Sequence, residues 1–167
     1  MGRKDESLEA KTTLIVEECI AVKLRLLTRA VTKIYNWALR PYGLTVSQMN
    51  ILVAASYLGQ AKQQDICQAL HLEKSTLSRD LARMRERGWV TEAPGDDGRS
   101  SLLRVTAHGG KLLQRAIPAW RQAQQQAAAL LGEREIAALG LAAKTLRSSR
   151  TKDPKQKCLN SGFREGA

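Results

Sequence analysis

The sequence predicts a mostly α chain with a small β-hairpin wing, and three observations carry the prediction. Two long stretches, one toward each end, repeat apolar residues at alternating steps of three and four, which gathers them on one side of a 3.6-residue turn. Aromatic residues make up only 4% of the chain while Ala, Leu, Arg and Gln are plentiful, a usage that suits helix packing better than a sheet sandwich. Between the stretches, "GWVTEAPGDDGRSSLLRVT" has two strand-like runs around a Pro/Gly/Asp cluster, which reads as a hairpin. At 167 residues the chain can build one domain with a real core, and a second would be a squeeze.

Taken in order, Thr12 to Leu39 contains no Gly or Pro, and Ile20, Leu24, Leu27, Val31, Ile34 and Ala38 form a heptad-like seam. A single long helix that packs along another helix is expected there. Arg40, Pro41, Tyr42 and Gly43 break it. Thr45 or Ser47 can cap the next helix, which carries Met49, Ile51, Leu52, Val53 and Tyr57 as largely buried positions and ends near Gly59. Residues 61–72 give a third helix with Ile66 and Leu70 one turn apart, followed by a turn around His71 to Lys74. A fourth helix runs to Gly88, with Leu77, Leu81 and Met84 on one side and Ser75, Arg79 and Arg83 roughly opposite. Two short helices joined by a tight turn make a helix-turn-helix, and the hairpin attached to its end makes a wing. Thr106 or His108 starts the last long helix, where Leu113, Ala116, Trp120, Ala123, Ala127 and Leu130 form a second seam interrupted by Pro118. Glu133 to Leu146 repeats the device with Ile136, Leu139, Ala143 and Leu146.

The expected organisation is therefore a flexible N-terminus (1–11), a winged helix-turn-helix (44–106), N- and C-terminal dimerisation helices (12–40 and 107–146) and a basic flexible tail (147–167). The tail holds six Lys or Arg against two acids and too little apolar surface to fold alone. The seams could pair with each other or across a two-fold axis, and one subunit would struggle to cover them all.

Charge narrows the partner. Lys and Arg number 27 against 16 acids, a formal +11, which draws the chain to polyanions. No apolar run is long enough to span a membrane, and the first ten residues lack a secretory core, so a cytoplasmic protein with no membrane partner is expected. Cys19, Cys67 and Cys158 are far apart and neither His71 nor His108 completes a ligand cluster, so no metal site, disulfide framework or cofactor is implied. No nucleophile–base pair, paired carboxylates or phosphate loop is present; "HGGK" at 108–111 lacks the flanking glycine spacing and the Ser or Thr after the lysine. No catalytic residue is assigned, and an enzyme is not expected.

The helix from Lys74 then carries the functional reading. Small polar residues at its N-terminal end, Ser75, Thr76 and Ser78, let backbone N–H groups approach phosphate. Arg79 and Arg83, one turn apart, offer the fork that matches guanine or phosphate oxygens. Asp80 and Glu86 flank them; they would be odd on a purely electrostatic surface and are tolerable if they orient the arginines. The competing reading is a charged, solvated helix face.

On "LTVSQMNIL", "STLSRDLARMRERGWV" and "DDGRSSLLRVTAHGGKLL", in that order and spacing, the chain resembles the MarR family of winged helix-turn-helix transcription regulators from about Cys19 to Leu146. The resemblance implies a homodimer whose two lobes read a palindrome in double-stranded DNA and, commonly, repression by occlusion. It carries the recognition-helix role to Ser75, Thr76, Ser78, Arg79 and Arg83, the wing-tip minor-groove role to Arg99 and its support to Asp97; Gly95, Asp96 and Asp97 stand where the family often reads Asp-Arg-Asp. It implies release from DNA by a small aromatic or phenolic acid, for which Arg25, Arg29 and Trp120 supply guanidinium and flat wall, or by oxidation of a thiol, for which Cys19 is the nearest match. The simpler alternatives are a seam role for Trp120, exposed arginines and an inert Cys19 beside Glu17 and Glu18. A basic, sequence-tolerant nucleic-acid binder and a helical protein-interaction module are the rivals from other classes.

Overall fold

The computed structural model describes residues 7–94 and 101–149. Helix α1 (Leu8–Glu18) and α2 (Ile20–Leu39) lead through a 3-10 turn at Arg40–Tyr42 into α3 (Val46–Leu58). Strand β1 (Ala61–Lys62), α4 (Gln63–Leu70), α5 (Lys74–Glu86), β2 (Val90–Pro94) and β3 (Ser101–Val105) follow. The described chain closes with α6 (Ala107–Leu131) and α7 (Glu133–Ser149).

The first helix differs from the expected single span. Cys19 is extended, with ψ of 112°, and separates α1 from α2. No Gly or Pro marks the break; α1 buries none of its residues, so no packing holds it in line with α2. Gly43, with φ of 66°, takes the left-handed turn that leads out of the 3-10 segment, a conformation costly for a residue with a Cβ. Thr45 is the cap of α3: its hydroxyl accepts from the Gln48 N–H while the Gln48 side chain accepts from the Thr45 N–H, both at 3.2 Å. Asn36, on α2, accepts the Val46 N–H at 2.8 Å, so the long helix also satisfies a free donor at the start of the next.

The core lies under the helix-turn-helix. Leu39, Ile51, Leu52, Ile66, Leu77, Leu81, Met84 and Leu103 are fully buried, and Trp89 and Ala116 join the cluster from the wing base and α6. Val53 and Tyr57, expected inside, are about half exposed at 45% and 49%. The hairpin also gains a partner: Ala61 pairs with Leu103 and Lys62 with Leu102, giving antiparallel order β1-β3-β2. A third strand supports a hairpin that would be marginal alone, and it shortens the expected third helix, which starts at Gln63.

The seams divide. Val31 and Ile34 are half-buried and Ala38 is buried where α2 lies along α6, and the small Ala116, Ala123 and Ala127 are buried on α6. The Tyr35 hydroxyl, on α2, donates to Gln124 Oε1 on α6. Ile20, Leu24 and Leu27 remain exposed on α2, as do Trp120 and Leu130 on α6 and Leu139 and Leu146 on α7. Pro118 lies inside α6 on the exposed side, where its missing N–H leaves one carbonyl to water.

Candidate nucleic-acid interface

Helix α5 is anchored by three buried residues, Leu77, Leu81 and Met84, and this fixes which side faces out. Ser75, Ser78, Arg79 and Arg83 are exposed and Thr76 is half-buried. The structure therefore brings these five sequence-selected residues together along one helix. The turn before it is tight because His71 adopts the left-handed conformation, φ 53° and ψ 42°, and its N–H donates to the Cys67 carbonyl.

The two arginines differ. Arg79 Nε donates to the Ser75 carbonyl, one turn back, at 3.1 Å, which lays the side chain toward the N-terminal end of the helix with its terminal N–H groups available. The Arg83 side chain has no hydrogen bond or ion pair among the described residues. Asp80 does not orient either arginine: its Oδ2 accepts from the Ser47 hydroxyl, on α3, at 2.6 Å. The acid is thus turned back to the lobe, which removes a negative group from the outward face.

Polar links also hold the wing. Arg85 Nη1 lies 2.8 Å from Glu92 Oε1, and Gln63 Nε2 donates to the same oxygen at 2.9 Å. Thr106 donates to the Gly88 carbonyl at 2.6 Å and accepts from the Gly109 N–H at 3.0 Å, capping α6 at the wing base. At the end of α5, Arg87 Nη1 donates to the Gly43 carbonyl at 2.6 Å while its guanidinium lies 4.9 Å from the centre of the Trp89 ring. Sequence reasoning passed over Glu92 and Arg87, and offered Ser47 only as a cap, because each meets its side-chain partner on another element. Arg99 and Asp97, expected at the wing tip, lie outside the described residues.

The residues expected to hold an aromatic acid separate. Arg29 lines an open cleft of about 540 Å³ on α2 together with Lys33, Asn36, Trp37 and Arg40, but Arg25 and Trp120 do not line it. Trp37, 67% exposed, supplies the flat wall. The signal in the sequence was the stripe Arg29, Lys33, Trp37 and Arg40, at spacings of four, four and three. Cys19 is half-buried at the α1–α2 break. Burial, and after it the charge of Glu73, pushes the Cys67 thiol above the ordinary range, with Lys74 opposing. Among the described residues no group of three or more His, Cys, Asp or Glu could hold a metal ion, and no helix is long and apolar enough to cross a membrane.

Known proteins share this fold. Residues 42–100 match the family model described as MarR family. An uncharacterized HTH-type transcriptional regulator, YwoH of Bacillus subtilis (strain 168), is 34% identical over 83 residues, 50% of this chain and 61% of YwoH. The chain spans about three fifths of the length of the curated relatives it matches. The transcriptional regulator MOSR of M. tuberculosis, solved in complex with DNA, is 35% identical, with 78% of this chain and 99% of MOSR covered and a TM-score of 0.64. A cysteine-to-serine mutant of E. coli MarR, solved with operator DNA, shares the fold at a TM-score of 0.71 and 18% identity, with 80% of this chain and 96% of that chain covered. On the family match and the likeness to MOSR over nearly its whole length, this chain belongs to the MarR family of winged helix-turn-helix transcription regulators.

Proposed function

We propose that the protein is a sequence-specific double-stranded DNA-binding transcription regulator, a repressor that binds a palindromic operator as a homodimer. One observation carries the reading: α5 presents Ser75, Ser78, Arg79 and Arg83 outward while its neighbouring acid Asp80 is bound to Ser47. A merely solvated helix face gives no reason to turn the acid away from the arginines. In this reading α5 enters the major groove, Arg79 and Arg83 read base edges or phosphate, and the wing with Arg99, supported by Asp97, reaches the minor groove. The exposed Ile20, Leu24, Leu27, Trp120 and Leu130 supply apolar surface for the two-fold contact, and the two lobes then address half-sites about 10 bp apart. The structure of the relative MOSR in complex with DNA supports the DNA assignment.

The effector of this reading is a small aromatic acid. The cleft at Arg29, Lys33, Trp37 and Arg40 supports an anionic ring better than the trio Arg25, Arg29 and Trp120 does, since guanidinium and flat wall meet in one place. Oxidation of Cys19 is the second route to release, and it is supported by the position of that thiol at the α1–α2 break.

The test is selection of bound duplexes from a random-sequence pool at near-physiological salt, repeated with Arg79→Ala. A palindrome with half-sites one turn apart, relaxed at one base pair by the substitution, is the expected result; a good bidentate contact is worth about 1–3 kcal/mol of discrimination. Recovery of no motif, with binding that falls uniformly as salt rises, would return the protein to non-specific nucleic-acid binding.

A further inference from the structure

From the geometry of the wing base we infer that Glu92 withholds Arg85 from DNA, so that Arg85 is a wing-positioning residue and contributes no phosphate contact. The inference rests on the DNA-binding reading above. Arg85 follows Ser78 by seven residues, two helical turns, and so lies on the same side of α5 as that outward serine. By position and exposure it would join Arg79 and Arg83 as a cation facing the duplex. Instead Nη1 lies 2.8 Å from Glu92 Oε1.

Glu92 is built for that task. On β2 it shares a sheet face with the buried Val90, two residues earlier, so its carboxylate points back to the helices. The same oxygen accepts from Gln63 Nε2, at the start of α4, so one carboxylate joins β2 to both helices of the helix-turn-helix. The Glu92 side chain is only 23% exposed and that of Arg85 41%, and a partly buried pair is screened less by salt than a surface pair. A cation already neutralised by a fixed carboxylate releases no counterion from DNA. The expected phosphate count of α5 is therefore lower by one than its arginines suggest.

The experiment uses the full-length chain and a labelled random-sequence duplex, with binding followed by fluorescence anisotropy from about 50 to 200 mM salt. Four proteins are compared: wild type, Glu92→Gln, Arg85→Gln and the double variant. Gln at 92 is close in shape and retains an oxygen for Gln63, and a thermal melt checks that each variant folds. Glu92→Gln frees the guanidinium, so binding tightens at low salt and the log–log salt slope steepens by about 0.9, roughly a further 3.5-fold loss over that range. In the Arg85→Gln background the same substitution changes the slope much less. Equal steepening in both backgrounds would mean that Glu92 acts through its own charge, and an unchanged slope on Glu92→Gln would mean that Arg85 is never released; either result overturns the inference while leaving DNA binding intact. Absence of binding by the wild type overturns the DNA-binding reading itself.

Discussion

The Ser47 hydroxyl donates to Asp80 Oδ2 across 2.6 Å, from the first turn of α3 to the middle of α5. Asn36 of α2 accepts the neighbouring Val46 N–H, so α2, α3 and α5 are linked through two adjacent residues. The first turn of α3 also favours a negative group, because its N–H dipoles point toward it. We expect Ser47→Ala to cost about 1 kcal/mol, below the roughly 1.5–3 kcal/mol of a hydrogen bond to a charged group, since the half-exposed Asp80 can recruit water. A double-mutant cycle with Asp80→Ala in urea should show coupling near that value. Coupling indistinguishable from zero would mean that the contact does not hold α5.

His71 holds the turn between α4 and α5 in a left-handed conformation, which costs a residue with a Cβ about 1–2 kcal/mol. Glycine escapes that strain but loses about 0.5–1 kcal/mol through greater unfolded-state freedom. His71→Gly should therefore be neutral to about 1.5 kcal/mol stabilising, whereas His71→Val, with a branched Cβ, should destabilise. Thermal melts of both variants check the sign. A stabilising valine would show that the turn relaxes out of the left-handed region at little cost.

Periodicity made much of this fold legible. The seams at Val31, Ile34 and Ala38 and at Ala116, Ala123 and Ala127 do pack, and Thr45 and Thr106 do cap, because side-chain spacing and cap chemistry are local. What escaped is non-local. A two-residue strand has no measurable alternation, and Ala61–Lys62 is a strand only because Leu102 and Leu103 pair with it. Asp80 looked like a companion of the arginines because they are sequence neighbours, yet its partner is 33 residues away. Likewise nothing near Glu92 in sequence points to Gln63, 29 residues earlier. In the candidate site, residue identity along α5 was readable, while the direction of each acid was decided by packing.

Cys67 sits half-buried on α4 with its thiol pKa raised, first by desolvation and then by Glu73. Its thiolate fraction near neutral pH is therefore below that of an ordinary cysteine, and the thiolate is the reactive form. Peptide-mapped alkylation of the folded chain with iodoacetamide should label Cys67 several-fold more slowly than after denaturation. The linkage sign follows: the folded state keeps this proton to higher pH than the unfolded chain, so the associated stability is present below the ordinary thiol pKa and is lost as pH rises through the raised one. Rapid labelling of Cys67 in the folded protein at neutral pH would contradict both statements.

The adjacent glycines of "HGGK" are equivalent in sequence and opposite in structure. A Cβ on Gly109 would stand 2.1 Å from the Trp89 carbonyl oxygen and 3.0 Å from Val105 Cγ1, whereas one on Gly110 meets nothing within 4 Å. Trp89 O already accepts the Thr106 N–H at 3.0 Å, so that carbonyl cannot retreat without opening the joint between wing and α6. Gly109→Ala should therefore cost about 3 kcal/mol, at the upper end for overpacking. In Gly110→Ala the only change is helix propensity, and it should gain about 0.5–1 kcal/mol. Urea unfolding of the pair measures the difference directly, and because both variants add the same methyl group to the same helical turn, propensity cancels between them. A difference below about 1 kcal/mol would mean that α6 can move off the wing base cheaply. The expected larger gap instead makes Gly109 the position that allows the last long helix to start directly against the backbone of Trp89, which ties the wing to the helix proposed to carry the two-fold contact.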